Sequence, residues 1–151
     1  MIGSDWSSDV CSSDLEDPKE QGIRALLNFG HTFGHSIEKL MNFRLTHGEC
    51  VGIGCILAAS MSRKRNYISR EEYDDIVRIF RYFDFPELPA ELKYEEIVRE
   101  TRHDKKMEHG SIKFILLKAV GEAAICRDVT EEEMLEVFEE PDSRTKPGGQ
   151  A

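Results

Sequence analysis

The chain has 151 residues, 40% of them hydrophobic and 32% charged, with a formal net charge of -9. That length supports one domain with a real core and is short for two large ones. The acidic balance argues against nucleic acid or an anionic membrane as a partner, yet leaves room for an anionic small molecule in a locally basic cleft.

In chain order, Met1–Leu15 comes first, a Ser- and Asp-rich run with no apolar period. Trp6–Leu15 back-translates to a string that resembles a common short-read sequencing adapter. The segment is therefore set aside from fold reasoning, as a fusion scar would be. The expectation is that the natural protein extends upstream of this junction. The first residues also lack the basic region and apolar run of a signal peptide. Gly22–Arg44 is mainly helix-like, with Leu26, Leu27, Phe33, Ile37, Leu40 and Met41 at helical offsets. Gly30 and Gly34 are costly inside a helix and suggest that something approaches the backbone closely there.

Thr46–Arg65 reads as a second, more buried helix, whose glycines 48, 52 and 54 suit tight helix packing. Its most apolar part, Cys50–Ser60, is too short to span a bilayer. Ser69 and Glu72 form a capping-box pattern that opens a helix to about Phe83, and Pro86 and Pro89 mark a loop over Asp84–Ala90. Tyr94–Lys105 is amphipathic. Ser111–Leu117 and Ala123–Arg127 read as a β-hairpin around Gly121. Thr130 with Glu133 caps a last helix to about Glu140, and Pro141–Ala151 is a polar tail. The expected fold is mainly α with one small hairpin, folded over residues 16–140.

Four cysteines, at 11, 50, 55 and 126, form no C-x-x-C pair. The expectation is reduced, mostly buried thiols in a cytoplasmic protein. Three of the five histidines, His31, His35 and His47, fall within seventeen residues. His31 and His35 are four apart and share one helix face. Two imidazoles so placed can chelate one metal, or one can bind metal while the other handles a proton or an anion. No H-E-x-x-H pattern is present, so a zinc-protease site lacks its general base. His103 and His109 lie apart from this group and read as solvated.

The stretch Arg24-Ala25-Leu26-Leu27-Asn28-Phe29-Gly30-His31-Thr32-Phe33-Gly34-His35-Ser36-Ile37-Glu38, followed by His47-Gly48-Glu49-Cys50-Val51-Gly52-Ile53-Gly54, closely resembles the 3-dehydroquinate synthase family. Asp104-Lys105-Lys106, then Gly110, Ile112, Phe114, Ile115, Leu116, Leu117 and Gly121, match it in order and spacing. The resemblance covers about Glu16 to Glu140. It implies the helical C-terminal domain of an enzyme whose active site lies against an N-terminal nucleotide-binding domain. The family converts 3-deoxy-arabino-heptulosonate 7-phosphate into 3-dehydroquinate and phosphate in the shikimate pathway. It uses NAD catalytically and a divalent metal, zinc or cobalt; members are commonly homodimers. The substrate is oxidised, loses phosphate, is reduced, opens its ring and recloses to a carbocycle.

Residue by residue, the resemblance makes His31 and His47 metal ligands, with a third, glutamate ligand in the other domain. It sets His35 near the substrate phosphate, and Arg24 and Asn28 against the substrate, where a guanidinium suits a carboxylate. Lys105 is favoured over Lys106 to reach the phosphate, and Glu20 to orient Arg24 or a water. Glu49 is a candidate partner for His47. A family lysine upstream of Arg24 would fall near Val10, inside the adapter-like run. No G-x-G-x-x-G or related NAD motif occurs, so this chain alone is expected to be inactive and to bind metal weakly. Two alternatives stay open. One is another sugar-phosphate cyclase, a 2-deoxy-scyllo-inosose or valiolone-type synthase, with Arg24 the discriminating residue. The other is a non-catalytic helical metal-binding module.

Overall fold

A computed structural model describes residues 23–109 and 112–139, with a 3-10 helix over Ile23–Asn28 leading the element order. Then come α1 (His31–Leu40), α2 (His47–Lys64), α3 (Arg70–Tyr82), α4 (Tyr94–His109), β1 (Phe114–Ala119), β2 (Glu122–Cys126) and α5 (Glu131–Glu139). Among the described residues the fold is mainly α with one antiparallel hairpin, as the patterning requires. The expectations for the adapter-like run 1–15, for Glu20 and for the tail 141–151 lie outside the described residues.

Local chemistry sets the helix starts. Thr46, Ser69 and Thr130 each take the N-cap position, and the glutamate three residues on closes the box. At α2, the Glu49 N–H donates to Thr46 Oγ1 at 3.2 Å and the Thr46 N–H to Glu49 Oε2 at 2.8 Å. Each such cap contributes about 1 kcal/mol.

The single helix expected over Gly22–Arg44 is instead two pieces. Gly30 adopts φ 84°, in the left-handed region, and breaks the ladder between the 3-10 helix and α1. A side chain there would sit 2.5 Å from Cys55 Sγ and 2.7 Å from the Cys55 nitrogen. Helix α2 is thus what approaches the glycines. A Cβ on Gly34 would lie 3.0 Å from Val51 Cα, and one on Gly54 only 2.0 Å from the Gly30 oxygen. Residue 30 meets residues 51–55 while residue 34 meets 50–51, so α1 and α2 run antiparallel, backbone against backbone.

One core joins the elements. Phe33 of α1 packs edge-on against Phe114 of β1 (centroids 5.0 Å apart) and Phe138 of α5 (5.8 Å). Around them lie Ile37, Ile53, Leu57, Met61, Ile97, Leu116 and Met134, all buried. A smaller cluster seats α3 through Tyr73 on Ala59 and Ile68. The hairpin pairs Phe114 with Cys126 and Leu117 with Ala123, and Gly121 (φ 89°) makes its turn. Two bonds tie it to the helices: Thr32 Oγ1 donates to the Lys113 carbonyl (2.8 Å), and the Leu117 N–H to Ser62 Oγ (2.9 Å).

Candidate metal centre

His31 is the first residue of α1, His35 stands one turn on, and His47 is the first residue of α2. The glycine contact lets the two helices close to backbone distance, and the three rings meet beside it. Ring centroids are 5.5 Å apart for His31 and His35, 5.4 Å for His31 and His47, and 5.8 Å for His35 and His47. One ring nitrogen from each lies within 4.8 Å of the others. His31 and His35 are half-buried and His47 is exposed.

The donor set fits a divalent transition metal. Neutral imidazoles are preferred ligands of zinc and its neighbours, and tetrahedral zinc holds its nitrogens roughly 3.4 Å apart. The three nitrogens here, within 4.8 Å of one another, stand at most a little wider than that. Among the described residues no carboxylate joins the three imidazoles in this group.

Two acceptors hold Nδ1 of two of the rings. His47 Nδ1 lies 3.1 Å from Glu38 Oε1, and His31 Nδ1 lies 3.4 Å from the Phe29 carbonyl. A carboxylate and a carbonyl only accept, so in each bond the imidazole nitrogen donates. Glu38, not Glu49, is the partner of His47: Glu49 is engaged in the cap of α2. The signal was present, because Glu38 follows His31 by seven residues and His35 by three, on the same helix face.

Arg24 and Asn28 stand on the 3-10 helix that leads through Gly30 into α1, both half-buried and neither without an interaction partner. Lys105 lies on the backbone of α4, and its side chain is outside what is described, as is Glu20 altogether. Asp104, which precedes it, is half-buried and pairs with Lys39 of α1; Glu100 stands 3.6 Å from the same ammonium. The Asp104 hydrogen bond pushes the Lys39 pKa up. This α1–α4 tie escaped the sequence reading, because a pair 65 residues apart leaves no local pattern. His103 is exposed on α4, away from the cluster, as expected.

Burial pushes the thiols of Cys50 and Cys55 up to about 11, and Cys55 Sγ donates to the Phe29 carbonyl at 3.4 Å. Both stay protonated at neutral pH, which suits packing rather than metal ligation or nucleophilic attack.

The fold matches that of solved proteins. A 2-epi-5-epi-valiolone synthase from Streptomyces hygroscopicus subsp. jinggangensis, with NAD+ and Zn2+ bound, superposes with a TM-score of 0.74 at 24% identity. The match covers 83% of this chain and 35% of that one. A 2-deoxy-scyllo-inosose synthase complexed with carbaglucose-6-phosphate, NAD+ and Co2+ gives 0.68 at 24% identity, over 81% of this chain and 35% of that one. The class is thereby defined: a helical domain with the fold of these cyclases.

Among curated relatives, the 3-dehydroquinate synthase of Shewanella loihica is 40% identical over 125 residues, which is 82% of this chain and 35% of that protein. That of Colwellia psychrerythraea is 38% identical over 132 residues, 85% of this chain and 37% of the other. The family model for the 3-dehydroquinate synthase C-terminal domain matches residues 8–107, beginning inside the run set aside as adapter-like. The chain belongs to the 3-dehydroquinate synthase C-terminal family. It spans about a third of the length of the curated relatives it matches.

Proposed function

We propose that residues 16–140 form one wall of a 3-dehydroquinate synthase active site. The whole enzyme would convert 3-deoxy-arabino-heptulosonate 7-phosphate into 3-dehydroquinate and phosphate, in the cytoplasm and as part of the shikimate pathway. The observation that carries this reading is the convergence of His31, His35 and His47 from two helices in a chain of this family.

His31 and His47 would hold the divalent metal, zinc or cobalt. Once bound, such a cation supplies Lewis acidity toward a substrate hydroxyl. The chain's own residues supply the rest. His35 donates a hydrogen bond to the phosphate as it leaves, and Lys105 adds its positive charge there. Arg24 pairs with the substrate carboxylate through two parallel bonds, Asn28 hydrogen-bonds a hydroxyl, and Glu20 orients Arg24 or a water. NAD and the third metal ligand belong to an N-terminal domain outside this chain, and the intact enzyme would be a homodimer.

The non-catalytic metal-binding module is the weaker reading, because it needs only the histidines and leaves Arg24, Asn28 and the Asp104-Lys105-Lys106 stretch without a role. The other cyclases are separated by Arg24, which a substrate without a carboxylate does not need. The decisive assay mixes the purified chain with a separately produced N-terminal half of a relative, substrate, NAD and zinc. Phosphate release is expected in the mixture and absent from the chain alone. Arg24→Ala should lower turnover on the carboxylate-bearing substrate by at least about 10²-fold. Turnover by the chain alone, or full activity of Arg24→Ala, overturns the reading.

A further inference from the structure

Glu38 has no part in the function proposed above. It lies on α1, on the face shared by His31 and His35, and its side chain is only 18% exposed. Its Oε1 stands 3.1 Å from Nδ1 of His47, whose own side chain is 54% exposed. An exposed ring on the first residue of a helix has little packing to orient it. The bond to a mostly buried carboxylate supplies that orientation. Because the carboxylate accepts, the proton of the neutral ring must sit on Nδ1, which leaves the lone pair on Nε2. His31 has the same arrangement with a backbone acceptor, the Phe29 carbonyl. The nearer acid in sequence, Glu49, is held by the α2 cap and is not competing for the ring.

We propose that Glu38 is a positioning residue that locks His47 in the Nδ1–H tautomer and aims its Nε2 at the space shared with His31 and His35. The inference rests on the reading of that cluster as a metal centre. It concerns which nitrogen of a neutral ring carries the proton, and needs no titration. A carboxylate placed behind a ligating imidazole fixes the ring and raises its basicity, and losing such a partner typically costs 10–100-fold in metal affinity.

The test uses the full chain, first without metal, at a pH where the imidazoles are neutral. Two-bond proton–nitrogen NMR correlations report the tautomer of His47 directly. The wild type should show the Nδ1–H form, and Glu38→Ala should relax it toward the Nε2–H form favoured in free imidazole side chains. Calorimetric titration with zinc, repeated with cobalt, should then show affinity about 10–100-fold weaker in Glu38→Ala. Glu49→Ala should lose helix-cap stability and leave the tautomer unchanged. Glu38→Met keeps the side-chain length without an acceptor and replaces the alanine variant if that one fails to fold. An Nε2–H ring in the wild type, or an unchanged tautomer in the variant without the acceptor, overturns the positioning role even if metal binds. A chain that binds neither ion even at the millimolar concentrations that reveal a weak site, yet shows the Glu38-dependent tautomer, keeps the positioning role and overturns the metal reading.

Discussion

Gly54 shows how much of this site depends on a missing atom. A Cβ there would stand 2.0 Å from the Gly30 oxygen and 2.9 Å from the Gly34 nitrogen, both backbone atoms that cannot swing aside. Gly48, on the same helix, has nothing within 4 Å of its would-be Cβ. The two alanine variants should therefore move in opposite directions. Gly54→Ala should lose about 2–4 kcal/mol, overpacking outweighing the helix propensity gained. Gly48→Ala should gain about 0.5–1 kcal/mol, since only propensity acts. Urea midpoints at constant slope measure both, and equal shifts would refute the backbone-contact account. The glycines were legible as a sign of close approach. What approached was not, because a contact between residues 30 and 54 depends on how the helices cross, and composition carries no crossing angle.

At the scale of elements, one carboxylate both caps α5 and docks it. Glu133 closes the capping box with Thr130, and it also takes two bonds from Arg65, the residue that ends α2: Nε to Oε2 at 2.7 Å and Nη2 to Oε1 at 2.9 Å. The Arg65 hydrogen bonds hold the Glu133 carboxyl below its usual range. A carboxyl depressed in the folded state stabilises the fold above its ordinary value and loses that stabilisation as pH falls through the lower, folded one. Stability should therefore decline below about pH 4.5, the ordinary glutamate value. Glu133→Gln should lower stability at neutral pH by about 1–2 kcal/mol and flatten the acid decline. Denaturant titrations across that pH range test this, and an acid limb identical to wild type would remove Glu133 from the account. The capping half of this role was written in the local sequence as Thr130 and Glu133. The docking half joins residues 68 apart and left no local trace. The Thr46–Glu49 pair shows the converse error. The pattern of a capping box was there, but proximity to His47 drew Glu49 into the site, while geometry assigns that place to Glu38.

At the scale of the molecule, the ligand-bearing helices are the centre of the core, not an appendage to it. Phe33 and Ile37 of α1 and Ile53, Leu57 and Met61 of α2 share one buried cluster with residues of α4, both strands and α5. His31 and His47 thus project from elements that cannot separate without opening that core. A metal held between them must couple to global unfolding, and stabilisation follows mass action: about 2.7 kcal/mol at a hundred times Kd. For a chain of this size that corresponds to a rise of roughly 5–15 °C in Tm. Zinc added to the full chain should produce such a shift, and His31→Ala with His47→Ala should abolish it. Arg24→Ala, which the proposed function assigns to the substrate carboxylate, should leave the shift intact. Because unfolded histidines also bind zinc, the double variant is the necessary control. If it shifts as much as the wild type, the cluster is not where the metal binds, and the convergence of three imidazoles is only packing.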